Sequence, residues 1–231
     1  MAEEFPVDSM RTRLSYIISR PDWDSFCERL SQTWKIFMSI PDPMPGLDLI
    51  ASRPDPNAPS FTLKNRLMRV IWRCAWMVLA RWTPPPLHRW RVALLNCFGA
   101  RVAATAHVYS SAEIWAPWNL EMAAYASLGP RVRCYNIAAI SLGYKSMVSQ
   151  NAHLCTGSHD YRDPMLPLTA RPIVIGRRAW VCADAFVGPG VTVGDGAVLA
   201  AASVAFKDLY PWTVYLGNPA GVHRERPPID D

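Results

Sequence analysis

The six cysteines, at 27, 74, 97, 134, 155 and 182, are scattered, and no Cys-x-x-Cys pair occurs. In a chain of 231 residues that spacing argues against a disulfide framework or a zinc knuckle and fits a reducing compartment. Acidic residues are missing from a whole stretch. None falls between Asp55 and Glu113, where Lys64, Arg66, Arg69, Arg73, Arg81, Arg89, Arg91 and Arg101 all lie. Such a segment favours anionic neighbours, whether lipid headgroups, phosphates or an acidic partner face. No long apolar run is present either. The most apolar stretch, residues 67–82, is interrupted by Arg69, Arg73 and Arg81, too short and too charged for a membrane span. Glu3, Glu4 and Asp8 stand near the start with no apolar run behind them, so no secretory leader is expected. These absences point to a cytoplasmic protein, and no nucleic-acid partner is expected.

What is present supports a sizeable core. Half of the residues are hydrophobic and 19% are charged, which excludes global disorder. Three parts are expected: an N-terminal extension with a Pro-rich linker over 1–61, a helical hairpin over 62–100, and a repeat domain over 101–231. Trp23, Phe26, Leu30, Trp34 and Phe37 recur at helical spacing within 1–40. Prolines 41, 43, 45, 54, 56 and 59 then remove backbone donors and make 41–60 a linker or extended arm. A helix is expected over 62–82, with Thr62 as N-cap and Leu67, Val70, Ile71, Met77 and Val78 on or near one face. Thr83-Pro84-Pro85-Pro86 ends it, and a second helix over 87–97 would be capped by Gly99. Two readings stay open for this hairpin. It packs on the rest of the protein, or residues 62–97 lie on a membrane surface at its inner face. The two are compatible.

From Val102 onward helical spacing stops and a period of six begins. The clearest stretch, residues 175–204, opens successive units with Ile175, Val181, Val187, Val193 and Leu199. A small residue follows each: Gly176, Cys182, Gly188, Gly194 and Ala200. The fifth place is small or β-branched: Ala179, Ala185, Val191, Ala197 and Ser203. Six residues make one short strand and one corner, so three units close a triangular coil. The opening aliphatic points inward and stacks on its counterparts above and below. Small residues are needed where coils approach closely, and a lone coil cannot bury its own interior. Val102, Val108, Ile114 and Leu120 carry the same period, with Ala106, Ala112 and Ala124 in the small slot. Two-residue insertions separate these from Leu128 and Cys134, then from Leu142, Val148 and Leu154. The expected fold is therefore mainly β, a left-handed parallel β-helix of hexapeptide repeats with an N-terminal helical region.

A β-helix alone is a scaffold, so function must come from a site. The register breaks at 155–172, the one long loop to leave the repeat, with His159 at its root. Histidine can take a proton from a hydroxyl at neutral pH. A lone surface histidine usually does nothing; its place at the root of the loop singles this one out. Thr156-Gly-Ser-His-Asp-Tyr161, Ala179-Trp180-Val181, the run 185–192, Lys207-Asp208 and Gly217-Asn-Pro-Ala220 resemble the hexapeptide-repeat O-acetyltransferases. Residues 114–122 and Cys134-Tyr-Asn136 are most similar to the branch assigned to colanic-acid-type exopolysaccharide biosynthesis. Galactoside and maltose acetyltransferases are similar but more distant. The resemblance covers roughly residues 65–224.

The resemblance implies a homotrimer with acetyl-CoA in the groove between neighbouring prisms and a sugar or glycan acceptor near the loop. His159 would be the general base and the backbone N–H of Ala183 the donor to the tetrahedral oxyanion. Asn136 would bind the acceptor; an ordinary turn asparagine is the plain alternative. Trp180, Ala183, Ala201, Lys207 and Arg224 would line the CoA site, with arginine suited to its phosphates. Gly221 stands where relatives often carry Lys or Arg, and Phe206 where the more distant ones have Thr, which puts one phosphate contact in doubt. No metal is expected. Three other readings remain. A γ-carbonic-anhydrase-type hydratase would need three histidines on adjacent faces, and His107, His153 and His159 are the candidates. A non-catalytic β-helix would need no long loop with a histidine at its root. An N-acetyltransferase acting on an amino sugar would use the same base.

Overall fold

The computed structural model describes residues 60–227 and 229. The expected helices within 1–40, and all but the last residue of the expected linker over 41–60, lie outside these residues. Two helices come first, α1 (Leu63–Leu79) and α2 (His88–Cys97), joined by a 3-10 turn (Pro85–Leu87). From Arg101 the described chain winds a left-handed β-helix of short strands on three faces, with one hairpin outside it.

The first face stacks β1 (Arg101–Val102), β4 (Leu120–Met122), β7 (Ile140–Leu142), β12 (Ile173–Ile175) and β15 (Thr192–Val193). The second stacks β2 (His107–Val108), β5 (Ser127–Leu128), β8 (Met147–Val148), β13 (Trp180–Val181), β16 (Val198–Leu199) and β18 (Thr213–Leu216), and β19 (Gly221–Glu225) returns antiparallel at its edge. The third stacks β3 (Glu113–Ile114), β6 (Arg133–Tyr135), β9 (His153–Cys155), β14 (Phe186–Val187) and β17 (Val204–Ala205). A two-stranded antiparallel hairpin, β10 (Gly157–His159) and β11 (Leu168–Ala170), leaves the prism between β9 and β12.

The unit length follows the expected period in the last full coils, where Val174, Trp180 and Phe186 pair with residues eighteen positions on. In the first coils the step is twenty, as in Glu121 with Ser141. The first extra pair of residues precedes β4 rather than following Leu120, because Met122, not Leu120, pairs with Val102. The small slot next to it is consequently filled by buried Ala126, not by Ala124. Leu120 still points inward, so two apolar residues of one strand compete for the register. The insertions before β4, before β7 and before β12 all fall at the corner between the third and first faces. The other two corners keep the strict repeat.

At the N-terminal end the helices close the stack. Thr62 caps α1, its hydroxyl accepting from the Asn65 N–H at 3.2 Å. Gly99 follows α2 at φ 88°, where the left-handed backbone suits glycine. The face of α1 that turns inward carries Asn65, Met68, Trp72 and Trp76, so the Leu67–Val70–Val78 face expected from the sequence is the outward one. Trp72 Nε1 donates to the Ile114 carbonyl at 2.7 Å and Trp76 Nε1 to that of Ser110 at 3.2 Å. These bonds explain the choice of face, since an indole buries well only when its N–H finds a partner. Arg91 of α2 is wholly buried. It donates to the carbonyls of Val108, Pro84 and Pro85 and to the Thr83 hydroxyl, at 2.6–2.9 Å. Burial pushes its pKa down to about 10, so it stays charged at neutral pH.

Ser146 occupies the small slot beneath β8, and its hydroxyl is buried without a partner among the described residues. The equivalent positions of neighbouring coils hold Ala126, Ala179 and Ala197. Replacing Ser146 by alanine is expected to stabilise the fold by about 1 kcal/mol, because the desolvation cost of the hydroxyl disappears. Urea denaturation of the two proteins measures it, and a loss of stability would mean that the hydroxyl is satisfied.

Candidate active site

The widened corner between the third and first faces is built from side chains that bond backbone. Asn136 is fully buried. Its Oδ1 accepts from the Ala116 N–H at 2.9 Å and its Nδ2 donates to the Ala116 carbonyl at 2.6 Å. Both polar atoms of the amide are thus bonded to backbone, and none of the residue is exposed in the single chain. One coil on, the buried Thr156 hydroxyl donates to the Tyr135 carbonyl and accepts from the Ala138 N–H. Asn119 Nδ2 donates to the carbonyls of Asn136 and Ile137. Extra residues at each turn leave orphan backbone groups, and these three side chains satisfy them.

The hairpin β10–β11 springs from this braced corner. Gly157 opens it in a tight place: a Cβ there would sit 2.7 Å from Ile137 Cδ1 and 2.9 Å from Tyr135 Cε1. His159 closes β10 and is exposed. Its Nδ1 lies 2.6 Å from the Leu166 carbonyl. A carbonyl only accepts, so Nδ1 carries a proton, and in the neutral ring the lone pair lies on Nε2. Leu166 stands at φ 46° in the hairpin's turn, whose chain reversal brings that carbonyl to the imidazole. The turn is held by the Leu166 N–H on the Asp163 carbonyl and by the Arg162 guanidinium on Asp160.

A different corner, between the second and third faces, carries the small residues named from the sequence. Ala183 and Ala201 occupy matching places in successive coils, and the Ala202 N–H donates to the Ala183 carbonyl at 2.9 Å. Each precedes a residue in the left-handed region, Asp184 at φ 58° and Ala202 at φ 57°. The turns close with the Ala185 N–H on the Cys182 carbonyl and the Ser203 N–H on the Ala200 carbonyl. That is the type II pattern, which leaves the N–H of its second residue outside the turn's own bond. The N–H groups of Ala183 and Ala201 have no acceptor among the described residues. Trp180 stands outward on the second face, its Nε1 donating to Ser149 Oγ at 2.8 Å. Arg224 lies exposed on β19, at the edge of that face, paired with Val214.

Lys207 lies apart from these residues, after β17 at the corner that also bears the hairpin. Phe206 covers Gly188 and stacks toward Phe186 at 5.6 Å, so its ring packs along the prism wall. Gly221 has open space where a Cβ would be. The chain thus sorts the expected residues into two groups. His159 and Lys207 sit on one corner; Trp180, Ala183, Ala201 and Arg224 sit on or beside the second face. No hydrogen bond or ring contact among the described residues joins the hairpin to residues 180–184.

The three histidines weighed for a metal also part company. His107 stacks on His88 at 4.7 Å, and His153 meets Phe186 edge-on at 5.3 Å. Burial pushes the His153 imidazole below its ordinary pKa, helped by Arg133. Within the described residues no three metal-ligating side chains gather.

No protein-family model matches the chain. Among curated proteins, one named as a colanic acid biosynthesis acetyltransferase, WcaF of Escherichia coli K12, is 41% identical over 162 residues, spanning 70% of this chain and 89% of that protein. The chain belongs to the hexapeptide-repeat acetyltransferases. The galactoside O-acetyltransferase of Escherichia coli is 30% identical to this acetyltransferase over 89 residues, spanning 37% of this chain and 44% of that protein. Among solved structures, a maltose O-acetyltransferase of Clostridium difficile 630 superposes with a TM-score of 0.64 at 22% identity, covering 72% of this chain and 90% of that one. A hexapeptide-repeat acetyltransferase of Vibrio cholerae complexed with acetyl coenzyme A gives 0.64 at 22%, covering 78% and 97%. At that identity the likeness is one of fold.

Sequence reading did not find the Leu166 carbonyl, since a backbone acceptor leaves no signature, nor the bracing by Asn119 and Thr156. In this acetyltransferase the hairpin's aim depends on Gly157. Gly157→Val is expected to lower turnover by about tenfold or more through misplacement of His159, while the melting temperature falls by only a few degrees. Turnover equal to that of the unaltered protein would show that the base tolerates the displacement.

Proposed function

We propose that this acetyltransferase moves the acetyl group of acetyl-CoA to a hydroxyl of a sugar in an exopolysaccharide or related glycan. It does so as a homotrimer, with three sites in the grooves between prisms. The observation that carries this reading is the fixed tautomer of His159, whose free Nε2 sits on an exposed hairpin. Nε2 takes the proton of the acceptor hydroxyl as its oxygen attacks the thioester carbonyl carbon. The negative charge that develops on the carbonyl oxygen is met by the unpaired N–H of Ala183. Collapse of the tetrahedral intermediate breaks the C–S bond, and the imidazolium returns its proton to the departing CoA thiolate. An acetyl ester and CoA result.

The split between the corners gives the trimer its role. His159 of one subunit faces Ala183, Ala201 and Trp180 of its neighbour, and the pantetheine runs along the second face between them. Ala183 and Ala201 leave their N–H groups accessible, and Arg224 at the far edge answers the CoA phosphates. Lys207 reaches the same groove from the hairpin's side. The names of the relatives support a sugar hydroxyl as acceptor, and the Vibrio cholerae complex supports acetyl-CoA as donor. Asn136 contributes by holding the corner beneath the hairpin.

His159→Ala is expected to cut acetyl transfer to a sugar acceptor by about a hundredfold or more. Binding of CoA, measured by calorimetry, is expected to stay within a few-fold. Product mass distinguishes ester from amide when sugars and amino sugars are compared. Undiminished turnover would remove His159 from the mechanism.

A further inference from the structure

Helix α1 has two apolar faces, and only one has a partner within the described chain. Trp72 and Trp76 pin the inner face to the first coil through their indole N–H groups, so the helix cannot roll. Directly opposite, Leu63, Leu67, Val70 and Val78 form a continuous aliphatic strip along the seventeen residues of the helix. Leu63 is 77% exposed and Val78 71%, and Trp82 just past the helix end is 83% exposed. Strips of this size on a single chain mark a docking surface.

The charges around the strip are of one sign. Arg66 and Arg73 flank it on the exposed surface, and Arg81 and Arg89 lie beyond its end. Arg69 belongs elsewhere, stacked 4.2 Å from the Trp115 ring. No aspartate or glutamate occurs in the sequence between Asp55 and Glu113. A second copy of the same face would bring arginine against arginine. A surface that takes up aliphatic side chains and presents phosphates beside them fits both features at once.

We propose that the outer face of α1 docks the protein on an anionic lipid surface. Leu63, Leu67, Val70 and Val78 enter the acyl boundary, Trp82 sits at the headgroup level, and Arg66 and Arg73 bond lipid phosphates. No helix of the described chain is long and apolar enough to cross a membrane, so the contact lies in the interface plane. The inference is independent of the acetyl-transfer reading: it concerns the opposite side of α1 from the prism and uses no residue of the site.

Sedimentation of the full chain with vesicles tests it, using phosphatidylcholine alone and a phosphatidylcholine–phosphatidylglycerol mixture. The protein is expected to pellet with the mixture, to be released by salt, and to bind the neutral vesicles far more weakly. Arg66→Glu with Arg73→Glu is expected to weaken binding to the mixture by about tenfold. Leu67→Glu with Val70→Glu should weaken it at least as much, by removing the inserted strip. Both pairs are exposed, so an unchanged melting temperature certifies the fold. Three results would overturn the proposal: no pelleting with either vesicle, which is expected if residues 1–59 cover the face; equal binding by the Leu67/Val70 variant; or a change in that variant confined to its oligomeric state.

Discussion

A strand of two or three residues has no inside of its own, and the whole architecture follows from that. Each coil contributes a few inward side chains that are buried only by the coils above and below. Val108, Leu128, Val148, Val181 and Leu199 form one such column on the second face, all fully buried. The columns require small residues beside them, and Gly196 shows the tolerance: a Cβ at that residue would stand 2.5 Å from the Trp212 ring. A stack also needs ends. At the N-terminal end α1 and α2 supply them, with Arg91 tying the carbonyls of Pro84 and Pro85 in the connecting turn to that of Val108 in the prism. At the other end β19 folds back on β18.

The same constraint decides where function can be placed. Two corners obey the repeat strictly, because a residue added there would shift every column above. The third corner absorbs the extra residues. Buried amides and hydroxyls brace it, and the long hairpin grows from it. The strict corner offers outward N–H groups at Ala183 and Ala201, fixed by turns that the stack holds rigid. The proposed base on the adaptable corner and the proposed donors on the rigid one share no hydrogen bond among the described residues. In the proposed homotrimer the two corners meet between subunits, so the chemistry proposed for His159 and Ala183 depends on assembly.

The ladder over 175–204 was legible in the sequence because nothing interrupts its period, and every opening aliphatic from Ile175 to Leu199 is buried. The earlier coils were harder. Leu120 and Met122 are both apolar and both inward, so periodicity alone could not say which one pairs with Val102. Which face of α1 turns inward was left open by the sequence for a related reason. The aliphatics Leu67 and Val70 stand on one side and the tryptophans on the other, and the folded chain buries the tryptophans, whose N–H groups find carbonyls forty-two and thirty-four residues away. The place of His159 was legible: it ends the first strand of the hairpin that interrupts the repeat. The carbonyl that sets its tautomer was not, since any residue at 166 would present the same group. The seat of Asn136 was equally hidden, because a buried brace and a ligand-facing amide read alike in a sequence.

Mixed trimers test most directly whether base and oxyanion donor come from different subunits. One variant is His159→Ala; the other is Ala183→Pro, which deletes the N–H at a turn position that suits proline. The two would be co-expressed with different tags and the mixed species isolated. Each variant alone should be inactive, and the mixed trimer should regain acetyl transfer, because one subunit still supplies His159 and its neighbour the Ala183 N–H. A mixed trimer as inactive as its parents would contradict the shared site and return both groups to one chain.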